Sequence, residues 1–516
     1  MHAQDNVVVA LRALTSGDRI EVDDREVRVV DTIPPGHKVA ICGIEPDGPV
    51  NKFGWPIGRA TQAIDPGQHV HSHNLGCEHE IDVTQFATDI PPAPTPIEGR
   101  TFEGYHRPAG GVGTRNYLAV ISSVNCSASV ANIIARRFEP QLERYPNIDG
   151  IIALRHSGGC AMAWEGSRHR MLTKVLGGMA RHVNIGGYLL VGLGCEQGTL
   201  DHVIKSENLH QITLPDGQAA EIPRHASPGS SPNVPVLSIQ SAGGTKQTAD
   251  AGLEVVEHLA KQIDTFKRRT APASKLTLGL ECGGSDGYSG ITANPALGAA
   301  ADMLVACGGT AILSETSEVF GAEQLLTRRA RSRAVAEKLV ERIEWWKWYA
   351  GNYGEVLDNN PSVGNKAGGL TTITEKSLGA VSKGGTTALE AVYEYAEPID
   401  RTGFVLMDTP GFDPASVTGM VAGGANLIAF TTGRGSCFGF KPTPSFKIAS
   451  NSDLYRRLPD DMDFNAGQVV EGRSVAQVGE EIFDQLLQVA SGQPTKSELL
   501  GLGDEEFVPW QVGPVL

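Results

Sequence analysis

The chain has 516 residues, enough for about three domains, with 41% hydrophobic and 20% charged residues, the balance of a soluble globular protein. Its net charge of −15 argues against nucleic acid or an anionic membrane as the main partner, while leaving room for a few local cations to hold a small anion. With no leader-like start, no run of about 20 apolar residues and eight scattered cysteines, the expectation is a cytoplasmic protein whose thiols are buried, catalytic or metal-ligating rather than paired.

Residues 1–85 read as a small all-β domain. Short runs at Val7–Leu11, Glu26–Val30 and Lys38–Cys42 are separated by turns such as Pro34-Pro35-Gly36 and Pro66-Gly67. Residues 86–103 form a linker around Ile90-Pro91-Pro92-Ala93-Pro94-Thr95-Pro96, which cannot enter a helix or a central strand. Beyond it the texture alternates between strand and helix. Apolar runs begin at Tyr117, Gly150, Gly187, Leu276, Thr310, Phe404 and Leu427, and each ends in small or polar residues. Leu253, Val256, Leu259, Ile263 and Phe266 form one helical stripe, and Val475, Val478, Ile482, Leu486 and Val489 another. Ser474 and Gln477 offer the second stripe a capping box and Gly492 a stop. This predicts an α/β region in two Rossmann-like parts, 104–272 and 273–516, with mostly parallel sheets and functional loops beyond the carboxyl ends of the strands.

Three constellations carry possible chemistry. The β domain holds His2, His37, His69, His71, His73 and His79, and on a strand the three imidazoles of 69–73 share one face. Neutral imidazole suits divalent iron, manganese or zinc, and a solvated polar strand is the bland alternative. Cys126, Cys160, Cys195 and Cys282 all fall at strand ends, as core thiols or as ligands of iron or an iron–sulfur cluster. The Gly-rich loops Glu281–Gly287, Gly364–Gly369 and Thr431–Ser436 can present backbone N–H groups and cations to an anion, with Lys376 and Lys383 further on. None is a phosphate-binding loop or a dinucleotide fingerprint, so no nucleotide cofactor is expected.

Several ordered segments resemble the altronate/galactarate dehydratase family. They are Gly113-Thr114-Arg115-Asn116, Ser123-Val124-Asn125-Cys126, Gly192-Leu193-Gly194-Cys195-Glu196, the run from Glu281 to Pro295, Phe320 to Leu326, Pro361 to Gly369, Phe430 to Gly435, and Asp463 to Gly467. The N-terminal part resembles the family's SAF-type β-clip module at His2–Val7, Gly36-His37-Lys38 and Pro56-Ile57-Gly58. The resemblance implies dehydration of a sugar acid to a 2-keto-3-deoxy acid, assisted by Fe2+ or Mn2+, in a protein expected to be a homo-oligomer.

A metal or cation would stabilise the charge that develops on the substrate carboxylate, a base would remove the C2 proton, and an acid or metal would help the C3 hydroxyl leave. The metal is expected on His71, His73 and His2, with Cys126, Cys160, Cys195 and Cys282 as the alternative through an iron–sulfur cluster. Arg434 and Lys366, with Ser285 and Asn365, are expected to hold the substrate. His156, Glu281, Asp286 and Glu315, together with Lys366, form the catalytic pool. The His-Val-His-Ser-His-Asn stretch resembles the altronate-acting branch, so D-altronate is preferred over galactarate or another hydroxy acid such as sulfolactate. The rival of another class is a non-catalytic sugar-acid sensor.

Overall fold

A computed structural model describes residues 2–23, 25–77, 85–226 and 234–511. The N-terminal region is built from short antiparallel strands, as its turn spacing predicts. Val7–Val9, Lys38–Ala40 and His69–Val70 form one sheet, and Pro49–Lys52, Trp55–Ala60 and Leu75–Gly76 another, with a separate Arg19–Val22/Arg25–Arg28 hairpin. The expected five-residue histidine strand stops after Val70. Asn74 ends it, because its side chain accepts from the His71 N–H at 2.9 Å and its own N–H donates to the His71 carbonyl at 3.0 Å. The Ile90–Pro96 stretch carries neither helix nor strand, as seven residues with four prolines dictate.

Two parallel sheets dominate the rest. The smaller has the order Gly150–Leu154, Tyr117–Ser122, Ile185–Gly192, Val236–Ser238. The larger has seven strands in the order Leu389–Tyr393, Gly403–Met407, Thr310–Leu313, Thr277–Cys282, Leu427–Thr432, Ser445–Ala449, Phe464–Asn465, all parallel. A third, antiparallel sheet pairs Thr101–His106 with Val112–Gly113 and with Arg268–Pro272, closing the first α/β part on itself. The strands are near-continuous apolar runs because helices cover both faces. Helix Val475–Ala490 starts at the predicted Ser474/Gln477 capping box, and Gly492 follows its end in the left-handed region.

In the seven-stranded sheet the chain first builds outward from Thr277–Cys282 through Thr310–Leu313, then returns to add Leu427–Thr432 on the other side. The order therefore reverses at Thr277–Cys282, and a crevice opens beyond its carboxyl end, where ligands bind in such sheets.

The N-terminal β region is welded to this sheet within the same chain. Ile57, Val70 and Leu75 share one continuous apolar core with Leu278, Leu280, Leu297 and Leu313. The Pro34–Gly36 turn wedges between two loops of the large domain, and a Cβ at Gly287 would lie 1.9 Å from the Gly36 carbonyl oxygen, so only glycine fits there. Behind the turn, the fully buried Glu375 carboxylate takes Lys38 at 2.9 Å and Lys52 at 2.8 Å, and Lys38 also donates to the Gly369 carbonyl at 2.7 Å.

Candidate active site

The crevice is a cavity of about 440 Å³ lined by Cys282, Gly283, Gly284, Glu318, Ser362, Asn365, Lys376 and Asp413, with Asn360 and Gly411. Each strand around the switch point contributes at its carboxyl end. Thr277–Cys282 ends in Glu281 and Cys282, Thr310–Leu313 runs into Glu315 and Glu318, and Gly403–Met407 leads to Asp413 at the start of helix Asp413–Ala422.

Behind the cavity wall lies a buried charge network. Lys383 donates to Glu315 Oε2 at 2.9 Å, and Lys376 donates to Glu318 Oε1 at 2.6 Å and to Asn360 Oδ1 at 2.9 Å. Glu315 has φ +61°, a left-handed conformation unusual for a non-glycine residue and typical of functional sites. That turn aims its carboxylate at the Cys282 N–H, 3.2 Å away, and at the thiol, 3.3 Å away, while Glu318 Oε2 lies 3.6 Å from the same sulfur. Ser314 and Ser416 donate to Glu281 Oε2 at 3.0 and 2.8 Å.

Glu281, Glu315, Glu318 and Asp413 thus share a small volume with Lys376 and Lys383, which leaves two more carboxyl groups than ammonium groups. Burial, with Glu315 and Asp413 nearby, pushes the Glu281 carboxyl well above the usual range. Burial and the charges of Glu315 and Glu318 lift Asp413 to about 7. Burial raises the Cys282 thiol as well, so it is a neutral S–H donor to the carboxylates around it.

The donor set fits a divalent cation. Glu281 Oε1 and Glu315 Oε1 are buried with no hydrogen-bond partner, an orphan state that costs free energy unless another group satisfies it. Among the described residues, two groups bring three ligand atoms within 4.8 Å of one another: Cys282/Glu315/Glu318 and Glu281/Glu315/Asp413.

The histidines gather beside this cavity. The His37 and His69 rings are 5.1 Å apart, His37 and His71 5.0 Å, and His69 and His73 5.5 Å. They pack onto the end of helix Val363–Ala367, where His71 Nε2 donates to the Lys366 carbonyl at 2.9 Å and His37 Nε2 to the Ala367 carbonyl at 3.3 Å. His37 Nδ1 and His69 Nε2 are 3.0 Å apart and share one proton. Burial lowers all three, His69 to about 4, so they are neutral at physiological pH. Most of their nitrogens are therefore engaged with the backbone or with each other. His73 is exposed at the edge of the cluster. His2 stands apart in a turn, where Asp5 accepts its backbone N–H and its Nδ1 accepts from Gln4. His79 lies outside the described residues.

The other candidates divide by role. Asn365 lines the cavity, but its side chain caps helix Val363–Ala367 through Ser362 and donates to the Ser285 carbonyl at 2.8 Å. Asp286 is buried and accepts from Tyr288 N–H, Ser289 and Ser450 on Oδ1 and from Asn451 on Oδ2, which ties its loop together, and it is not among the residues lining the cavity. Arg434 is exposed at the rim, its Cδ 3.3 Å from where a Gly368 Cβ would stand. Lys366 is half-buried on the same rim.

His156 belongs to the other sheet, where its Nε2 donates to the Ser122 carbonyl at 2.9 Å and its Nδ1 accepts from the Gly158 N–H at 3.1 Å. Burial lowers it to about 4. With both nitrogens spent, it is a neutral strut. Cys126, Cys160 and Cys195 share that sheet's carboxyl edge, so Cys282 is separated from them.

Sequence reading missed Glu318, Asp413 and the pairing of Lys376 and Lys383. Two carboxylates three residues apart after a strand (Glu315, Glu318) and an aspartate opening a helix after Thr409-Pro410-Gly411 were the available signals.

Comparison with known proteins accounts for nearly the whole chain. Residues 1–78 match the profile of the altronate/galactarate dehydratase SAF domain, 104–264 that of the D-galactarate dehydratase/altronate hydrolase second domain, and 273–515 that of the D-galactarate/altronate dehydratase C-terminal domain. The chain is 36% identical to the altronate dehydratase of Bacillus subtilis and 35% identical to that of Escherichia coli, in each case over 96% of both chains. It is 34% identical to the galactarate dehydratase (L-threo-forming) of Escherichia coli over 98% of this chain and 95% of the relative. The protein belongs to the altronate/galactarate dehydratase family.

Proposed function

We propose that this chain dehydrates D-altronate to 2-dehydro-3-deoxy-D-gluconate in the cavity at the switch point. The observation that carries the reading is the convergence of Asp413, Lys376, Glu318 and Cys282 on one crevice, with the exposed Arg434 beside its lining residue Gly284. Near-equal identity to relatives named for altronate supports that substrate, and the similar identity to one named for galactarate makes galactarate the second candidate. A non-catalytic sensor has no use for a crowd of costly buried charges, which argues for chemistry.

In this reading Arg434 and Lys366 take the substrate carboxylate, Arg434 through its planar fork. Asp413 faces the cavity and is held near 7, so it can accept the C2 proton and return it to the departing C3 hydroxyl. One group doing both closes the proton balance of a dehydration, and the enol left behind becomes the 2-keto acid. Lys376 supplies fixed positive charge inside the cavity as the substrate's own negative charge develops.

Fe2+ or Mn2+ would be held by Cys282, Glu315 and Glu318, with His71 and His73 as the second donor set, and would polarise the leaving hydroxyl. The carboxylate–thiol set is preferred because its Glu315 Oε1 is buried without a partner, whereas the His71 nitrogens are already bonded. A homo-oligomer and a cytoplasmic location remain part of the proposal; no helix among the described residues is long and apolar enough to cross a membrane. The same holds for the division at 1–85, 86–103, 104–272 and 273–516. The test is a panel of altronate, galactarate and their epimers with iron-supplied protein: kcat/KM highest for altronate supports the assignment, and highest for galactarate replaces it.

A further inference from the structure

Three of the strand-end thiols lie outside the cavity, and nothing proposed for it uses them. Cys126 sits in the first turn of helix Asn125–Phe138 after strand Tyr117–Ser122, Cys160 follows Gly150–Leu154, and Cys195 follows Ile185–Gly192. These strands are adjacent and parallel, so the three thiols share one carboxyl edge.

Their loops are tied together. The Asn125 N–H donates to the Gly158 carbonyl at 2.9 Å, the Gln197 N–H to the Gly159 carbonyl at 3.2 Å, and Ser123 Oγ to Glu196 Oε1 at 2.8 Å. Each cysteine is thus one or two residues from a bond to a neighbouring thiol-bearing loop. Glu196 is itself buried and also accepts the Gly194 N–H at 2.6 Å, which fixes the Cys195 loop. Gly159 lets the loops close this tightly, since a Cβ there would stand 2.5 Å from the Ser123 carbonyl oxygen.

All three thiols are free and exposed, although free cysteine is ordinarily among the most buried residue types. Gln240 Nε2 points at Cys195 Sγ from 3.3 Å, a donor aimed at a sulfur. The three thiols are not among the groups whose ligand atoms crowd within 4.8 Å, as a single ion requires. A cubane cluster, by contrast, holds its thiolates apart by its own width and suits three neighbouring loops.

We propose that Cys126, Cys160 and Cys195 hold a [4Fe–4S] cluster, with Gln240 donating to the Cys195 sulfur and the fourth iron left to an oxygen ligand. Capture of a preformed cluster moves no electrons: each Cys S–H replaces a small thiolate on iron, forming one S–Fe bond, and its proton leaves on the released thiol. The edge opens on the same side as the crevice. The carboxyl-terminal parts of helices Ser167–Ala180 and Asp413–Ala422 meet at Gly178 and Ala422, and Ser167 and Arg170 share a cavity with Asp408.

The inference does not depend on the substrate assignment, and its test needs no turnover. Full-length protein is incubated without oxygen with a [4Fe–4S] cubane bearing small-thiol ligands, desalted, and assayed for iron, acid-labile sulfide and visible absorption. The expected result is about four iron and four sulfide retained per chain. Each of C126S, C160S and C195S should lose at least tenfold of the sulfide at unchanged melting temperature, while C282S keeps it. No retained sulfide in the wild-type protein, retention by all three serine variants, or zinc bound at the triad without sulfide would overturn the proposal.

Discussion

Asp413 and Lys383 differ in what their removal should do, although they stand in one network. Asp413 meets the cavity, and Asp413→Asn keeps its shape while removing proton transfer. We expect kcat to fall roughly 100- to 10,000-fold, with KM changed by only a few fold and the melting temperature unmoved. A large KM effect with kcat preserved would make Asp413 a binding group instead. Lys383 is buried and donates to Glu315, whose carboxyl burial already raises. Lys383→Met would strand a buried carboxylate, at a cost on the order of 3–5 kcal/mol in urea unfolding. At this scale the sequence was half legible. Glu281 and Glu315 could be named because each ends an apolar run. Glu318 stood three residues on and was passed over, whereas Asp413 is brought in by strand order, which no local pattern states and which carries residues about 130 positions apart to one crevice. The histidines were legible as a cluster but not in their bonding: the Asn74 turn and the Lys366 and Ala367 carbonyls were invisible from spacing alone.

Among the elements, the Pro34–Gly36 turn and the 363–369 segment decide how the β domain meets the cavity. Gly287→Ala would drive a methyl group into the Gly36 carbonyl and should loosen this seam. Hydrogen exchange should then rise at Lys38–Ala40 and in the 366–375 segment, with helix Val475–Ala490 unaffected. Equal protection at the seam in wild type and variant would show that the two regions are held elsewhere. Most strands were legible because parallel sheets bury both faces and leave continuous apolar runs. Ser445–Ala449 escaped because Lys447 interrupts it. That ammonium is nonetheless buried, donating to the Ser436 carbonyl at 3.1 Å. Leu389–Tyr393 escaped as an edge strand with a register shift, and Phe464–Asn465 because two residues carry no period.

For the whole molecule, buried ionisable groups set the stability profile. His156 and His182 are both lowered from 6.5 to about 4 by burial, so the unfolded chain takes up protons before the folded one does. Stability from these groups is full above pH 6.5 and is lost progressively down to about pH 4, by on the order of 3 kcal/mol each at most. Glu375, held below the usual carboxylate range against its burial by Lys38 and Lys52, adds a further loss that begins below about pH 4.5. The raised carboxyls of Glu281 and Asp413 act in the opposite sense over the same range, so the histidine contribution is read as a difference: the melting-temperature penalty of His182→Gln relative to the wild-type chain should shrink from pH 7 to pH 4, and a penalty constant across that range would contradict the burial described for this histidine.

The central claim is that this fold removes water from a sugar acid by taking the C2 proton and expelling the C3 hydroxyl. Its most direct measurement is proton NMR of D-altronate incubated in D2O with iron-supplied protein. The account predicts a 2-keto-3-deoxy product with one deuterium at C3, formed by the wild-type chain and suppressed in Asp413→Asn. Recovery of unchanged altronate, and of unchanged galactarate in a parallel sample, would contradict it.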